Sequence, residues 1–406
     1  MPRRLLVLLS QNPLDPSNGA TRSLDSIARL LSRDGDYEVE VLGTTSTECA
    51  DPQATGVKLG FLSNLGIVAT TRYDQGGCLI KFTRDKVRYT LVDTGTIRLH
   101  QPHSIHGPRF ERIYGQILKC FRPQILLTFG AFPIERQRHR EAQLNGAAVV
   151  LSLHNHNYLD RSAFEYVDAV HTCSQYLREY YRKTMGIESV ALNGPLIPED
   201  VVAPKREPLF VTFVNPSYEK GLVFVARLAE ELAKRRPDIP LLVIESRGTS
   251  GTLVTAGDAG GFDLRRHPSL MTTPPVASPR DFFSTARILL APSLCNEAWP
   301  RVAAEGLLNG VPPLASDRGG LPEACNGGGY VFTLPKELTP QTLVPPPAET
   351  VMPWIDLIER LCDDESAYAA AMQRALDAAK VLMPSDCLPR FLEFFDSIRP
   401  HVRRTI

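Results

Sequence analysis

The sequence predicts an α/β protein made of two successive units, each built on a parallel sheet. Three observations carry this expectation. Short apolar runs alternate with helical patterns along most of the chain, the pattern of helices laid over parallel strands. A charged, proline-bracketed stretch, Val202-Ala203-Pro204-Lys205-Arg206-Glu207-Pro208, breaks the alternation near the middle and reads as a linker. The length of 406 residues is long for one core and suits two.

In the first unit, Leu5–Ser10 reads as the opening strand. Thr21–Ser32 follows as a helix, with Leu24, Ile27, Ala28 and Leu31 on one face. Val39–Leu42 is the next strand. Leu79–Val92 alternates apolar and polar residues around Arg84-Asp85-Lys86, which predicts an inserted hairpin. Phe110–Phe121 reads as a helix, and Gln124–Phe129, Ala147–Leu153 and Tyr166–Thr172 read as strands. Ser174 caps a helix over Gln175–Thr184, and Asn193-Gly194-Pro195 turns the chain.

A second alternating unit starts at Leu209–Val214, and Leu241–Glu245 is its next strand. Ile288-Leu289-Leu290-Ala291 is a buried strand that stops at Pro292-Ser293. The helix after it starts with Pro300 in the first position, where the missing N–H is not needed, and stops at Asn309-Gly310. The proline-rich stretch Pro335–Pro353 is a surface loop before an amphipathic helix, Trp354–Leu361. Met383-Pro384-Ser385 breaks the chain ahead of a last helix, Leu388–Ile398. The two halves resemble each other only in strand–helix alternation, and no solenoid repeat is visible.

Composition narrows the partners. Lys and Arg total 45 against 45 Asp and Glu, so no global basic field favours nucleic acid or an anionic membrane. One local basic cluster, Arg136-Gln137-Arg138-His139-Arg140, reads as a solvated helix face. Peripheral contact with an anionic lipid or acceptor is its alternative. The eight cysteines are scattered with neither Cys-x-x-Cys pairs nor zinc spacing, which predicts reduced thiols in a cytoplasmic protein. Leu5–Leu9 is shorter than the ~7–15 apolar residues of a signal peptide, and no stretch approaches the ~18–20 of a membrane span, so a soluble chain is expected.

The chemistry concentrates in residues 291–323, Ala-Pro-Ser-Leu-Cys-Asn-Glu-Ala-Trp-Pro-Arg-Val-Ala-Ala-Glu-Gly-Leu-Leu-Asn-Gly-Val-Pro-Pro-Leu-Ala-Ser-Asp-Arg-Gly-Gly-Leu-Pro-Glu. Glu297 and Glu305 bracket a loop-to-helix transition, and Gly319-Gly320 follows the next strand. At ~1.5 Å per residue, Glu305 stands about 7–8 Å along the helix from Pro300. A diphosphate at the helix start would leave Glu305 near a ribose and Glu297 toward the other end.

This ordered string resembles the signature of the retaining glycosyltransferases of the GT-B fold, in the large GT4-type (glycosyl transferases group 1) family. That pattern runs Pro-Ser, Glu, seven residues, Glu, a small-residue helix, Gly-x-Pro, a short strand, Ser and Gly-Gly-x-x-Glu. Every step is filled here. The resemblance implies two Rossmann-like domains facing each other across a cleft. It divides the chain into an acceptor-side domain at 1–203, a nucleotide-sugar domain at 204–384 and a helix at 385–406 crossing back to the first domain.

The resemblance also assigns roles. Glu297 binds donor-sugar hydroxyls with the backbone amides of Ala298 and Trp299, the latter being equally readable as core packing. Glu305 accepts hydrogen bonds from both ribose hydroxyls, and Val302 belongs to the same donor-binding helix. Gly319, Gly320 and Glu323 complete the floor, and residues 268–278 would hold the base. Phe213-Val214-Asn215-Pro216-Ser217-Tyr218-Glu219-Lys220-Gly221 is similar to the family's Gly-Arg-x-x-x-x-Lys-Gly segment. Lys220 and Gly221 match, whereas Asn215-Pro216 stands where the diphosphate arginine belongs; Arg247 or Arg301 would substitute for it. In the first domain Gly19, at a helix start, is a donor-phosphate or acceptor contact. His154, at a strand end, resembles the histidine beside the transferred sugar, with His156 as its rival.

The implied function is metal-independent transfer of a sugar from a nucleotide-sugar, a UDP-sugar first, to a glycan, lipid-linked or small-molecule hydroxyl. Retention would follow from attack on the leaving-group face, because no second carboxylate is placed for a covalent intermediate. A catalytically silent nucleotide-binding or scaffold protein of the same fold is the first alternative. A sugar-nucleotide epimerase is the second. A Glu305 sealed inside against an arginine would remove the transferase reading.

Overall fold

The computed structural model describes residues 2–47, 62–63, 65–74, 77–93 and 107–403. They divide into two compact units, Met1–Pro195 with Pro384–Ile406, and Leu196–Met383.

In the first unit nine strands form one sheet among the described residues: β1 (Arg3–Leu8), β2 (Tyr37–Thr44), β3 (Ala69–Asp74), β4 (Gly77–Arg84), β5 (Val87–Val92), β6 (Ile125–Thr128), β7 (Ala148–Leu153), β8 (Ala169–Thr172) and β9 (Val190–Ala191). Their order is β3-β4-β5-β2-β1-β6-β7-β8-β9. β1 lies centrally, with Leu5 opposite both Val39 and Ile125, and is buried on both faces, which explains its unbroken apolar run. The expected hairpin is β4–β5, turned by Asp85 and Lys86 at φ 48° and 65°. β3 adds an edge strand that the sequence reading missed.

The last helix, Pro384–Ser397, belongs to this unit. Phe391 and Phe395 are buried, and Arg3 donates 2.6 and 2.8 Å hydrogen bonds to the Phe395 and Ile398 carbonyls. A guanidinium thus satisfies the carbonyl end of that helix. The basic cluster is a solvated face only in part: Gln137 and Arg140 are exposed and Arg136 half-buried, but two of its members turn inward. In the helix Pro133–Leu144, His139 is fully buried and Arg138 pairs at 2.6 Å with Glu111.

The second unit holds six parallel strands: β10 (Phe210–Val214), β11 (Leu241–Ile244), β12 (Leu270–Thr273), β13 (Ala286–Ala291), β14 (Pro313–Ser316) and β15 (Tyr330–Phe332). The order β12-β11-β10-β13-β14-β15 is the 3-2-1-4-5-6 arrangement of a Rossmann sheet, whose direction reverses between β10 and β13. Trp354 centres the core against Phe224 and Phe332, with ring centroids 4.9 and 4.7 Å away.

The division between units falls at Pro195/Leu196 rather than at 203/204, and Val202–Pro208 is no free linker. Asn309 explains the shift: its amide donates to the Val201 carbonyl at 3.0 Å, and its oxygen accepts from the Ala203 amide at 2.9 Å. No helix of the described residues is long and apolar enough to cross a membrane.

Candidate functional site

In an open α/β sheet, ligands settle at the carboxyl ends of strands where the order reverses. In the second unit that point lies between the loops after β10 and β13. The first carries Lys220 and the second carries Glu297.

Three glycines pull these loops together. Gly221 has φ +89°, and a Cβ there would overlap the Pro292 carbonyl, so only glycine lets the two loops touch. The Glu219 carbonyl accepts from the amides of Leu294 and Cys295 at 2.8 and 3.2 Å. After β14, Gly319 bridges to Glu297, and Gly320 N donates to the Glu297 carbonyl at 2.7 Å. Side chains at Gly319 or Gly320 would strike the backbone of Glu297 and Ala298.

This packing brings Lys220 and Glu297 together. Lys220 Nζ lies 2.6 Å from Glu297 Oε1, which also accepts from Ser293 Oγ at 2.6 Å. Ser316 Oγ in turn donates to the Ser293 carbonyl at 2.7 Å. The Glu297 side chain is 10% exposed and that of Lys220 28%, so the pair is only partly desolvated. Burial, then the negative charge of Glu297, pushes the neighbouring Cys295 thiol up to about 11, which keeps it protonated and poorly nucleophilic.

The next helix spans Arg301–Leu308, with Pro300 as its N-cap rather than its first residue. Pro300 has ψ 105°, an extended value, so the helix begins one residue later than expected. By helix geometry the Arg301 and Val302 amides have no acceptor inside the helix. Arg301 Nε stands 3.3 Å from Glu305 Oε1 on the same helix face. Glu305 therefore does meet an arginine, but one belonging to its own first turn, and its side chain keeps 13% exposure. Trp299 is buried, and its indole Nε1 has no hydrogen-bond partner among the described residues.

The absent diphosphate arginine has a local explanation. Asn215 occupies the left-handed region at φ 63°, which asparagine tolerates, and its Oδ1 accepts from Gly248 N at 2.9 Å. That residue tethers the loop after β11, on which Arg247 is exposed. Val302 is half-buried, and Glu323 lies in the first turn of the helix Leu321–Cys325.

In the first unit Gly19 is exposed at the start of the helix Gly19–Arg33. The Ala20 and Thr21 amides there already donate to Asn18 Oδ1, at 3.0 and 3.2 Å. This helix start is thus capped by its own side chain. His154 follows β7 and sits 2.9 Å from Ser152 Oγ through Nε2. His156 packs edge-on to Tyr180 and Tyr176, with centroids 4.6 and 5.7 Å away.

Sequence reasoning placed Ser293 and Ser316 in the motif without giving them a task, which is to orient Glu297, and it missed a charged chain after β1 and β6. There Glu135 accepts from Ser10 Oγ at 2.9 Å and from Phe132 N at 3.1 Å, and Arg138 donates to Ser10 Oγ at 3.0 Å. The readable signal was Pro133 followed by Glu135, an acidic residue in a first helical turn. Among the described residues no group of three or more His, Cys, Asp and Glu is arranged to hold a metal.

No protein-family model matches the sequence, and no curated protein matches it. Solved structures do match the fold. Sucrose-phosphate synthase from Thermosynechococcus elongatus is similar with a TM-score of 0.64 at 13% identity, over 97% of this chain and 99% of that one. Anabaena HepE in complex with UDP-glucose gives a TM-score of 0.63 at 13% identity, over 97% and 100%. A TarM variant of S. aureus, in complex with fondaparinux, alpha-GlcNAc-glycerol and UDP, gives 0.64 at 10% identity, over 98% and 100%. At such identities the likeness establishes the fold, which is GT-B, a pair of Rossmann-like units.

Proposed function

We propose that the chain is a glycosyltransferase of the GT4 type that moves a sugar from a UDP-sugar to an acceptor hydroxyl with retention of configuration and without a metal. One observation carries the reading. At the reversal point of the second sheet, glycine-packed loops hold an ammonium and a carboxylate 2.6 Å apart, Lys220 and Glu297.

These charges satisfy each other. A nucleotide diphosphate would draw Lys220 onto its oxygens, where the cation offsets charge developing on the leaving group. Glu297, released but still held by Ser293, would then accept hydrogen bonds from donor-sugar hydroxyls. The start of the helix at Arg301 adds positive potential, with Arg301 or Arg247 as the second cation. Glu305 would exchange Arg301 for the ribose hydroxyls. His154 is read as a contact to the transferred sugar or the acceptor. The complexes of HepE with UDP-glucose and of TarM with UDP support the choice of a uridine donor.

A nucleotide-binding module without turnover is the second reading, favoured by the loop-tethering Asn215 where an arginine would clamp diphosphate. The test is incubation with a panel of nucleotide sugars, following nucleotide release and, with an acceptor library, product formation in EDTA. UDP release that falls about 100-fold in Glu297→Gln supports the transferase. Nucleotide-induced stabilisation with no release from any donor overturns it in favour of the module.

A further inference from the structure

The function proposed above uses His154 but leaves Ser152 and His171 without a task, although both are buried next to it. Ser152 Oγ lies 2.9 Å from His154 Nε2 and 2.8 Å from His171 Nδ1. His171 Nε2 lies 2.8 Å from the Leu192 carbonyl oxygen. Taken from the inner end, these contacts permit one arrangement of protons.

A carbonyl only accepts, so His171 Nε2 carries a hydrogen. The ring is enclosed by Phe391 and Phe394 of the last helix, with centroids 5.8 and 6.1 Å away. Burial lowers its pKa to about 4, so it is neutral near pH 7 and its Nδ1 is bare. The bare nitrogen takes the single hydroxyl hydrogen of Ser152. Ser152 Oγ then has only lone pairs to offer, and His154 Nε2 must donate to it. A neutral His154 therefore has its lone pair on Nδ1.

We propose that Ser152 and His171 are positioning residues that lock His154 in the Nε2–H tautomer, so that Nδ1 acts as a hydrogen-bond acceptor toward a substrate hydroxyl. The tautomer lock follows from the buried contacts alone; its use in transfer rests on the reading of His154 as a substrate contact. A hydroxyl that donates to Nδ1 keeps its oxygen lone pairs for attack or for other contacts. The other tautomer would present N–H to that oxygen and occupy one of them.

The experiment is nitrogen-15 imidazole NMR on the full chain at neutral pH. His154 is expected to show a protonated Nε2 and a bare Nδ1, and the opposite assignment overturns the proposal. His171→Phe removes the inner acceptor, freeing the Ser152 hydroxyl to donate outward. His154 should then shift to the Nδ1–H form, and kcat should fall about tenfold with donor KM within about twofold. His171→Asn restores an acceptor near the Nδ1 position and should recover both the tautomer and most of kcat. Should His171→Phe not fold, Ser152→Ala removes the lock with a smaller change and should give a tautomer mixture. An unchanged single tautomer in the variant that folds overturns the proposal. The NMR signal needs no turnover. The expected tautomer without transfer from any donor would overturn the proposed function and leave the lock standing.

Discussion

Glu297 sits within 2.6 Å of both an ammonium and a hydroxyl, so a ligand has to exchange its partners rather than create its charge. Replacing it by glutamine keeps the shape and removes the charge. Glu297→Gln should lower kcat/KM by about 100-fold, with an unchanged far-UV spectrum and a small shift in Tm. Gly221 offers a second residue-level test. Gly221→Ala incurs both left-handed strain at φ +89° and overlap with Pro292, whereas Gly261→Ala at φ +78° meets nothing within 4 Å. Urea titration should show a loss of about 1 kcal/mol for Gly261→Ala and several times that for Gly221→Ala. The site carboxylate and lysine were readable because both stand in ordered motifs that resemble those of a known family. Ser293 and Ser316 stood in the motif as its Pro-Ser and Ser steps, but their role in orienting Glu297 emerged only with their hydrogen bonds. The role of Asn215 became visible only with its φ and its bond to Gly248.

Among the elements, the helix Arg301–Leu308 carries the most specific expectation. Glu305→Ala breaks a partly buried pair with Arg301 that is worth a few tenths of a kcal/mol, so stability should barely move. Titration calorimetry should instead show UDP binding weakened about tenfold. Unchanged affinity would place Glu305 in a purely structural pair. Helices were legible where a cap announced them: Ser174 accepts from Leu177 N at 3.0 Å, and Gly310 takes φ +63° after Asn309. β3 was not, because Ala69–Asp74 is polar and pairs only at the sheet edge, where no alternation is imposed. The boundary between units was misread because composition reports local chain stiffness. The anchoring of residues 201 and 203 comes from Asn309, more than a hundred positions away.

At the scale of the molecule, two buried histidines set an acid limit on stability. Burial lowers His171 and His139 to about 4 from an ordinary 6.5. Between those values the unfolded chain binds protons that the folded chain refuses, so stability is complete above about pH 6.5 and falls as pH drops toward 4. The loss is on the order of 3 kcal/mol per histidine across that window. Denaturant midpoints between pH 4.5 and 7 should show this slope, and His171→Phe should remove about half of it. A flat profile would mean that one of the rings opens to solvent.

Arg3 holds the carbonyl end of the helix Pro384–Ser397, so the first strand finds its closing partner only near residue 398. The intervening Leu196–Met383 forms a contiguous unit with its own sheet. During translation the middle of the polypeptide is therefore able to consolidate while the opening half still waits, its Phe391 and Phe395 seats unfilled on the nascent chain. The usual vectorial sequence, earliest-made part first, is inverted.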